Sequence, residues 1–408
     1  MRILIISAGR YPIPATKGGA VSTLINHFVE ENEKNKLVDI EISSPYEVTA
    51  IKQSQKLRNS EVLYIKTPAL FVKLENAVYK IANSIFPQKN WTQLKSGLSF
   101  VWYVWKNALL LKQREYDYVI IENTARLFLC LNIFNNREKY KNKIVYHLHN
   151  EPRKLGGCRN VIIESKYILC ISQYIKNSIL DEHSPLHLPD ATKAKILYNC
   201  IDTKKFYPFD EIEKKKCRKE FGLAEDDKVI VFSGRIDQEK GIYELLTAMS
   251  YIKTKRVRLL VVGSSFYGMK IKTSFENQIL NIAKQLGNRV VFTGFISYED
   301  MPKAYNAADI AVLPSMWNEP AGLTIIEAMA CGKPVITTQS GGIPEYANTE
   351  CAVFVERNEK IATTLAEKID ELFENEHLAH ILGENARRHV VQNFDSSRYL
   401  SKMLKILK

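Results

Sequence analysis

The chain twice begins the same order of an apolar strand, a loop and an amphipathic helix, which limits its fold more than any other feature. Residues 2–7 are mostly Ile and Leu, a loop covers 8–19, and apolar residues then recur at helical spacing from Val21 to Val29. The same order returns at residues 228–249. Strands that alternate with helices favour parallel sheets covered by helices on both faces. The sequence therefore predicts two doubly wound α/β domains.

The 408 residues suffice for two such domains, each with its own core. We place the first domain at residues 1–205, the second at 206–390 and a C-terminal helix at 391–408. The boundary falls near Pro208, in a charged stretch without a strand pattern. Residues 60–112 do not alternate cleanly and predict a mostly helical insertion in the first domain. Further strands are predicted at 143–149, 259–262, 290–292, 310–313 and 334–337.

Composition excludes several classes of protein. The apolar fraction of 46% and the charged fraction of 25% are those of a globular protein. The longest apolar stretch, residues 98–105, is far shorter than the ~20 residues that cross a bilayer. The first residues are expected to form a buried strand rather than a signal peptide. Seven scattered cysteines without a C-x-x-C motif predict a reducing compartment, so we expect a cytoplasmic protein.

The net charge of +12 is unevenly distributed. Residues 1–200 have 28 Lys and Arg against 17 Asp and Glu, whereas residues 201–408 have 29 against 28. Residues 51–150 alone have 16 against 6. This excess suggests an anionic partner, such as a membrane surface, a nucleic acid or a polyphosphate, or else a solvated basic face. We expect no nucleic-acid partner, because no recognition motif accompanies the charge.

Two loops at the ends of predicted strands have the composition of anion-binding sites. Gly18 and Gly19 precede the first helix, where backbone N–H groups favour an anion. Arg235 and Lys240 lie five residues apart in the loop that follows the strand at 228–232. A guanidinium binds phosphate through two parallel hydrogen bonds, and an ammonium adds a point charge. Loop cations are usually only solvated, so these residues by themselves leave phosphate binding open.

Three motifs are missing from the sequence. There is no G-x-x-x-x-G-K-[ST] motif of a P-loop nucleotidase, and no G-x-G-x-x-G follows the first strand of either half. No D-x-D pair occurs that could hold a divalent metal. We therefore expect neither a metal nor a cofactor.

Two glutamates follow the predicted strand at 310–313. Glu319 lies in the loop after it, and Glu327 lies on the next helix, which begins near Gly322 and offers a further anion site. A carboxylate can accept two hydrogen bonds from the neighbouring hydroxyls of a sugar or a ribose. Two glutamates at this spacing are common, so the surrounding sequence has to decide whether they bind a sugar or a ribose.

That context resembles the retaining nucleotide-sugar glycosyltransferases of family 4, which have the GT-B fold. The matching positions extend along almost the whole chain and are Gly18-Gly19, His149, Asn199, Asp202, Pro208, Gly234-Arg235, Lys240-Gly241, Glu319, Glu327 and Gly341-Gly342-Ile343-Pro344-Glu345. The later part is also similar to glycosyltransferases named as spore-coat proteins. The resemblance implies two Rossmann-like domains that face a central cleft, with a C-terminal helix that crosses back to the first domain.

The resemblance also implies a role for each candidate residue. Arg235 and Lys240 should bind the donor diphosphate, Glu327 the ribose, and Glu319 the donor sugar near its anomeric carbon. The sequence departs from the family at Ala321, where an aromatic residue is common, so the sugar stays undetermined. Further contacts to the nucleotide sugar are implied for Gly18, Gly19, Phe295, Ile296, Gly322, Leu323 and Thr324.

Two histidines end the predicted strand at 143–149. His147 and His149 share one face of that strand. The resemblance selects His149 as a catalytic residue beside the donor sugar. The alternative is that one or both are core histidines with satisfied hydrogen bonds.

The implied reaction transfers a sugar from a nucleotide diphosphate sugar, most commonly a UDP-sugar, to a hydroxyl acceptor with retention of configuration. Its expected setting is the assembly of cell-surface polysaccharide or glycoconjugate. The alternatives are a polypeptide acceptor, a catalytically silent binding or coat protein, and another GT-B activity such as that of a phosphorylase or an epimerase.

Cations and large aromatic residues alternate in the basic part of the first domain. This pattern predicts contact with an anionic membrane at its cytoplasmic face and a lipid-linked acceptor. The alternative is that the aromatic residues pack in a core or an oligomer interface. The residues concerned are Lys80, Lys89, Lys95, Lys106, Lys112, Arg114, Phe86, Trp91, Phe100, Trp102, Tyr103 and Trp105.

Overall fold

The computed structural model describes residues 1–85, 91–263 and 274–408, and the chain divides into two compact units. The first unit is Met1–Leu197 with Ser397–Lys408, and the second is Tyr198–Ser396. Residues 198–205, which we had placed in the first domain, thus belong to the second unit. The backbone N–H of Asn199 donates to the Tyr346 hydroxyl (2.9 Å), and Ile201 forms a β-bridge with Asp395. These two contacts attach the segment to the second unit.

The first unit is built on a parallel sheet of seven strands in the order β3-β2-β1-β4-β5-β6-β7. Residues 3–6 of β1 are fully buried, as an Ile and Leu run between two helical layers requires. The strands are β1 (Arg2–Ile6), β2 (Asp39–Pro45), β3 (Ser60–Ile65), β4 (Tyr118–Glu122), β5 (Ile144–Leu148), β6 (Tyr167–Cys170) and β7 (Ala194–Ile196). The helices are α1 (Ala20–Asn35), α2 (Val48–Ser54), α3 (Ala69–Ile85), α4 (Gly97–Gln113), α5 (Asn136–Lys139), α6 (Arg159–Ile163) and α7 (Gln173–Leu180).

The region that we predicted as a helical insertion, residues 60–112, begins with the edge strand β3. The prediction missed this strand because its residues are only partly buried and so show weak alternation. Helices α3 and α4 follow it, as predicted. The two helices are joined by the buried Glu75 carboxylate, which accepts hydrogen bonds from the Ser99 backbone N–H (2.7 Å) and hydroxyl (2.6 Å).

The terminal helix, Tyr399–Leu407, packs on α1 of the first unit. Its Tyr399 ring stacks on Phe28 at a centroid distance of 4.4 Å. The buried Glu31 carboxylate accepts a hydrogen bond from the backbone N–H of Leu400 (2.6 Å). The chain therefore returns to its first unit at its C-terminus, as the resemblance implies.

The second unit repeats the architecture with a six-stranded parallel sheet in the order β10-β9-β8-β11-β12-β13. An apolar core fills the space between this sheet and the helices α9, α10 and α14 on one of its faces. The strands are β8 (Lys228–Ser233), β9 (Val257–Val262), β10 (Val290–Gly294), β11 (Ile310–Leu313), β12 (Val335–Thr338) and β13 (Ala352–Val355). The helices are α8 (Glu211–Glu220), α9 (Ile242–Ala248), α10 (Ser274–Leu286), α11 (Met301–Ala307), α12 (Leu323–Ala330), α13 (Ile343–Tyr346), α14 (Ile361–Glu374) and α15 (Glu376–Asn393).

Both units therefore have a doubly wound topology, and each changes direction of strand order beside its first strand. In such sheets ligands bind at the carboxyl ends of the strands next to that point. In the second unit these are the ends of β8 and β11, which the candidate residues follow. Of the helices within the described ranges, none combines the length and the apolarity needed to cross a membrane.

Candidate active site

The loop after β8 holds Lys240 against the loop after β11. A Cβ atom built on Gly241, whose φ is +72°, would lie 2.0 Å from the Pro314 carbonyl oxygen, so this close approach requires glycine. The Met316 backbone N–H donates to the Glu239 carbonyl (2.8 Å) and joins the two loops. This packing fixes the position of the lysine between them.

Lys240 and Glu319 form the central pair of the site. The Lys240 ammonium lies 2.5 Å from Oε1 of Glu319, and the Ser315 hydroxyl donates to the same oxygen (2.9 Å). The Lys240 nitrogen also lies 5.5 Å from the centre of the Trp317 ring. Both side chains are mostly buried, with 22% and 14% of their surface exposed. An ion pair that is partly shielded from water keeps its charges in defined places.

The glycine pair at 341–342 supports the Glu319 backbone. A Cβ atom on Gly341, whose φ is +58°, would lie 2.2 Å from the Glu319 carbonyl oxygen. The backbone N–H of Gly342 donates to that carbonyl (2.7 Å). The motif at 341–345 therefore positions the candidate glutamate through its backbone.

Arg235 lies in the same loop as Lys240 but has different partners. Its guanidinium contacts Asp237 (2.8 Å) and Glu239 (3.2 Å), and nearly half of its side chain is exposed. Burial raises the pKa of the Asp237 carboxyl, although Arg235 and Lys240 oppose this shift. The structure thus brings Lys240 and Glu319 together, while Arg235 is held by two carboxylates of its own loop.

Glu327 is buried on α12 and has a partner that the sequence analysis missed. The Tyr305 hydroxyl, from α11, lies 2.7 Å from Oε2 of Glu327 and 2.7 Å from the Ser233 hydroxyl. Burial raises the pKa of Glu327 to about 7, although the hydrogen bond from Tyr305 lowers it. Tyr305 occupies an ordinary core position of a short helix, so no sequence motif distinguishes it.

The N-terminus of α12 lies between the two glutamates in the chain. Gly322 precedes the helix and makes no side-chain cap, so the amides of the first turn depend on other acceptors. Leu323 and Thr324 begin the helix there, as the cradle for an anion requires.

Phe295 and Ile296 directly follow β10, and about half of Phe295 is exposed. The predicted contact to a nucleotide base therefore falls at the carboxyl end of β10, the edge strand of the sheet in the second unit.

The glycine loop of the first unit lies directly before α1. Gly18 and Gly19 have φ values of +69° and +105°, and a Cβ atom on Gly19 would lie 3.0 Å from the Tyr11 ring. Gly19 precedes the helix without a side-chain cap. The backbone N–H groups at this helix start have the arrangement that favours an anion.

His149 belongs to a buried cluster at the carboxyl ends of β4 and β5. Glu122, which pairs with His147 in the parallel register, lies 2.9 Å from Nε2 of His149 and 3.1 Å from Nδ1 of His147. Burial raises the pKa of Glu122, but the two imidazoles lower it to about 2, so the carboxylate is ionised. Burial and the nearby His147 lower the pKa of His149 to about 4, which leaves this imidazole neutral at pH 7.

The sequence analysis missed Glu122, although a carboxylate ending the strand next to the two histidines was a usable signal. Among residues 1–85, 91–263 and 274–408, these three side chains are the one group whose potential metal-ligand atoms all lie close together, within 4.8 Å. The expectation that no metal is needed therefore stays a prediction, and chelation tests it.

Known proteins resemble this chain along nearly its whole length. Residues 213–389, which contain Lys240, Glu319 and Glu327, match the family described as Glycosyl transferases group 1. The chain is a glycosyltransferase with the GT-B fold. The putative glycosyltransferase YtcC of Bacillus subtilis is 26% identical to this glycosyltransferase over 410 residues, which are 96% of the chain and 88% of YtcC. A lipopolysaccharide 1,2-N-acetylglucosaminetransferase of Salmonella typhimurium is 30% identical over 241 residues, 57% of each chain.

Solved structures of low sequence identity share the fold. The crystal structure of Anabaena Alr3699/HepE in complex with UDP and glucose superposes with a TM-score of 0.73 at 19% identity and covers 100% of this chain and 99% of HepE. The lipopolysaccharide glycosyltransferase WaaG gives a TM-score of 0.67 at 16% identity and covers 100% and 99%. These similarities establish a two-domain GT-B architecture for the glycosyltransferase.

Proposed function

We propose that the enzyme transfers a sugar from a UDP-sugar to a hydroxyl acceptor with retention of configuration, in the assembly of cell-surface polysaccharide or glycoconjugate. The observation that carries this proposal is the Lys240–Glu319 pair, held 2.5 Å apart by two loops that pack on each other. HepE, which has the same fold, was crystallised with UDP-glucose, and the Salmonella relative is named for lipopolysaccharide synthesis. Both support a nucleotide sugar as donor and a glycoconjugate as product.

In this proposal the second unit stabilises the leaving diphosphate. Negative charge grows on the diphosphate as the glycosidic bond breaks, and fixed positive charge nearby lowers the barrier. Lys240 supplies that charge, the first-turn amides of α12 add hydrogen bonds, and Arg235 supplies a second cation when it leaves its carboxylate partners.

Glu327 binds the donor ribose in this account. Tyr305 already donates to Oε2 of Glu327, which leaves Oε1 to accept from the ribose hydroxyls. Glu319 accepts hydrogen bonds from the sugar, and its contact with Lys240 fixes the direction of its carboxylate. His149, Gly18 and Gly19 of the first unit are proposed to meet the sugar and the diphosphate, as the family resemblance implies.

The proton of the acceptor hydroxyl goes to the departing phosphate, and the acceptor attacks from the face that the phosphate leaves. This front-face route needs no protein nucleophile and retains the configuration at the anomeric carbon. The test is transfer to a panel of alcohols from UDP-, GDP- and dTDP-sugars, with the anomer of the product read by NMR. An inverted product, or binding of none of these donors, would contradict the proposal.

A silent coat protein is the second candidate, because spore coat protein SA of Bacillus subtilis is 28% identical over 246 residues, 59% of this chain. This second candidate predicts that the protein binds the donor but does not turn it over. Measuring slow hydrolysis of a bound UDP-sugar separates the two candidates.

A further inference from the structure

Helices α3 and α4 of the first unit expose an unusual number of large apolar side chains. Those on one side of each helix, which we call the α3–α4 face, are Leu70, Leu74, Val78, Ile81, Ile85, Leu98, Val101 and Trp105. Val72 is also exposed but lies on another side of α3. Soluble proteins scatter such residues singly, and a contiguous group of them marks a binding surface.

The apolar residues of α3 form one stripe. At 3.6 residues per turn, Leu70, Leu74, Val78, Ile81 and Ile85 fall within a sector of about 80° around the helix. Packing in a core does not account for this stripe, because Glu75 is the one buried residue that α3 has in the described part of the chain. The helix therefore shows its apolar side to the surroundings of the protein.

The charge along the α3–α4 stretch itself is almost entirely positive. Between positions 66 and 113, the described residues include six lysines and one acidic residue, Glu75, whose carboxylate is buried against Ser99. Lys73 and Lys80 are exposed along one flank of the α3 stripe, as their helical positions require. The lysines are Lys66, Lys73, Lys80, Lys95, Lys106 and Lys112.

We propose that the α3–α4 face docks on the surface of an anionic lipid bilayer. A helix with an apolar stripe beside lysines lies in the plane of the membrane interface, where the stripe enters the acyl boundary and the ammonium groups reach the headgroups. Anionic lipids also attract each cation near the surface. A second copy of the chain would place the same lysines opposite one another, so the charge favours lipid over self-association.

The structure changes which residues make the predicted membrane contact. Tyr103 is buried, and its hydroxyl donates to the Ser43 carbonyl (2.8 Å). The Trp102 indole N–H donates to the Lys66 carbonyl (3.1 Å), and the ring stacks on Trp105 at a centroid distance of 5.1 Å. Phe86 and Lys89 lie outside the described residues. Aliphatic side chains of α3, which the sequence analysis passed over, form most of the face instead.

Docking is a property of the first unit and does not depend on the donor chemistry of the second. If the proposed transfer is also correct, the docked enzyme meets an acceptor that is anchored in the same membrane. Vesicle binding measured without any donor therefore tests the surface by itself, and its failure would leave the transfer proposal standing.

The experiment is co-sedimentation of the full chain with vesicles of phosphatidylcholine alone and of phosphatidylcholine with phosphatidylglycerol. We expect binding only with the anionic vesicles and weaker binding as salt is raised. Ile81→Ser should lower the partition coefficient about fivefold, because an exposed isoleucine no longer enters the interface. The matched control is Ile212→Ser, at an equally exposed isoleucine of α8 in the second unit, and should bind like the wild type.

The charge is tested in the same way. Lys73→Glu combined with Lys80→Glu should lower binding to anionic vesicles about tenfold or more. Lys216→Glu combined with Lys219→Glu on α8 is the matched control, since both of these lysines are exposed. Equal melting temperatures verify that all variants are folded.

Three outcomes would overturn the proposal. The first is recovery of the wild type in the supernatant with both kinds of vesicle. The second is equal loss of binding in the α3 variants and in the α8 controls. The third is a wild-type dimer that Ile81→Ser converts to a monomer without any effect of vesicles, which would assign the face to self-association.

Discussion

The two units of this glycosyltransferase share a doubly wound strand order, with one more strand in the first, yet they hold their candidate residues differently. In the second unit, the loops after β8 and β11 pack on each other, so that Lys240 meets Glu319 in a partly exposed position. In the first unit, the ends of β4 and β5 bring Glu122, His147 and His149 into a closed and buried cluster. Similar topology therefore gives a partly exposed ion pair in one unit and a buried cluster of a carboxylate with two imidazoles in the other.

The surfaces of the units differ as well. The first unit, residues 1–197 and 397–408, has 32 basic against 17 acidic residues, while the second unit, residues 198–396, has 25 against 28. Most of the first excess lies in residues 51–150, which include α3 and α4. This difference is consistent with our proposals that the second unit supplies the main cation of the donor site and that the first unit is attracted to an anionic surface.

The largest effect should come from a change in the Lys240–Glu319 pair. Lys240→Ala should lower kcat/KM for transfer by about 10²–10³-fold, or ~3–4 kcal/mol, because the charge on the leaving diphosphate loses its nearest fixed cation. Lys228→Ala is the control, since Lys228 forms an exposed ion pair with Glu376 in the same unit (2.9 Å). A nearly normal rate in the Lys240 variant would remove the lysine from the mechanism.

A smaller effect is expected from Arg235→Ala, about tenfold in kcat/KM. The guanidinium is half exposed and must leave Asp237 and Glu239 before it can bind phosphate, so part of its attraction is offset. Steady-state kinetics of the two variants, measured side by side, show which substitution lowers kcat/KM more. If Arg235→Ala is more damaging than Lys240→Ala, the pair we describe is not the main cation site.

The raised pKa of Glu327 predicts that donor binding depends on pH. Ribose hydroxyls donate best to an ionised carboxylate, and burial raises the pKa of Glu327 to about 7, so UDP-glucose should bind more tightly as the pH rises from about 6 to 8. Tyr305→Phe removes a hydrogen bond that lowers this pKa, which should move the midpoint upward by about one pH unit.

Calorimetric titration with UDP-glucose across this pH range measures the effect. In the control variant Glu327→Gln, the pH dependence should disappear because the amide does not titrate. An unchanged midpoint in Tyr305→Phe would show that the tyrosine does not act through Glu327.

The smallest expected effect is that of a chelator. The sequence has no D-x-D pair, and our proposal assigns to Lys240 the neutralisation of the diphosphate that a metal would otherwise provide, so EDTA should leave most of the rate. The cluster of Glu122 with His147 and His149 makes this test necessary. Loss of activity that Mg²⁺, Mn²⁺ or Zn²⁺ restores would contradict the expectation.

Much of the fold could be predicted because buried parallel strands are continuous apolar runs. The strand at 310–313 was predicted at its observed bounds, while the half-exposed β3 was missed because it lacks such a run. Lys240 and Glu319 were selected because the motifs around them resemble those of family 4 glycosyltransferases, and the structure brings the two side chains together. Tyr305 was not found, because its contact with Glu327 joins two helices and belongs to no local motif. Glu122 was overlooked, although it ends the strand that pairs with the strand of the two histidines.

Hydrogen exchange in the presence of UDP-glucose tests the central claim most directly, because it locates the donor on the chain. Binding by the second unit should slow exchange in the loop at 234–241 and around the start of α12, and should leave α3 and α4 unchanged. The matched sample is the Lys240→Ala variant, in which protection of the loop should be lost at the same donor concentration. Protection confined to the first unit, or equal protection in the variant, would contradict the assignment of donor chemistry to the second unit.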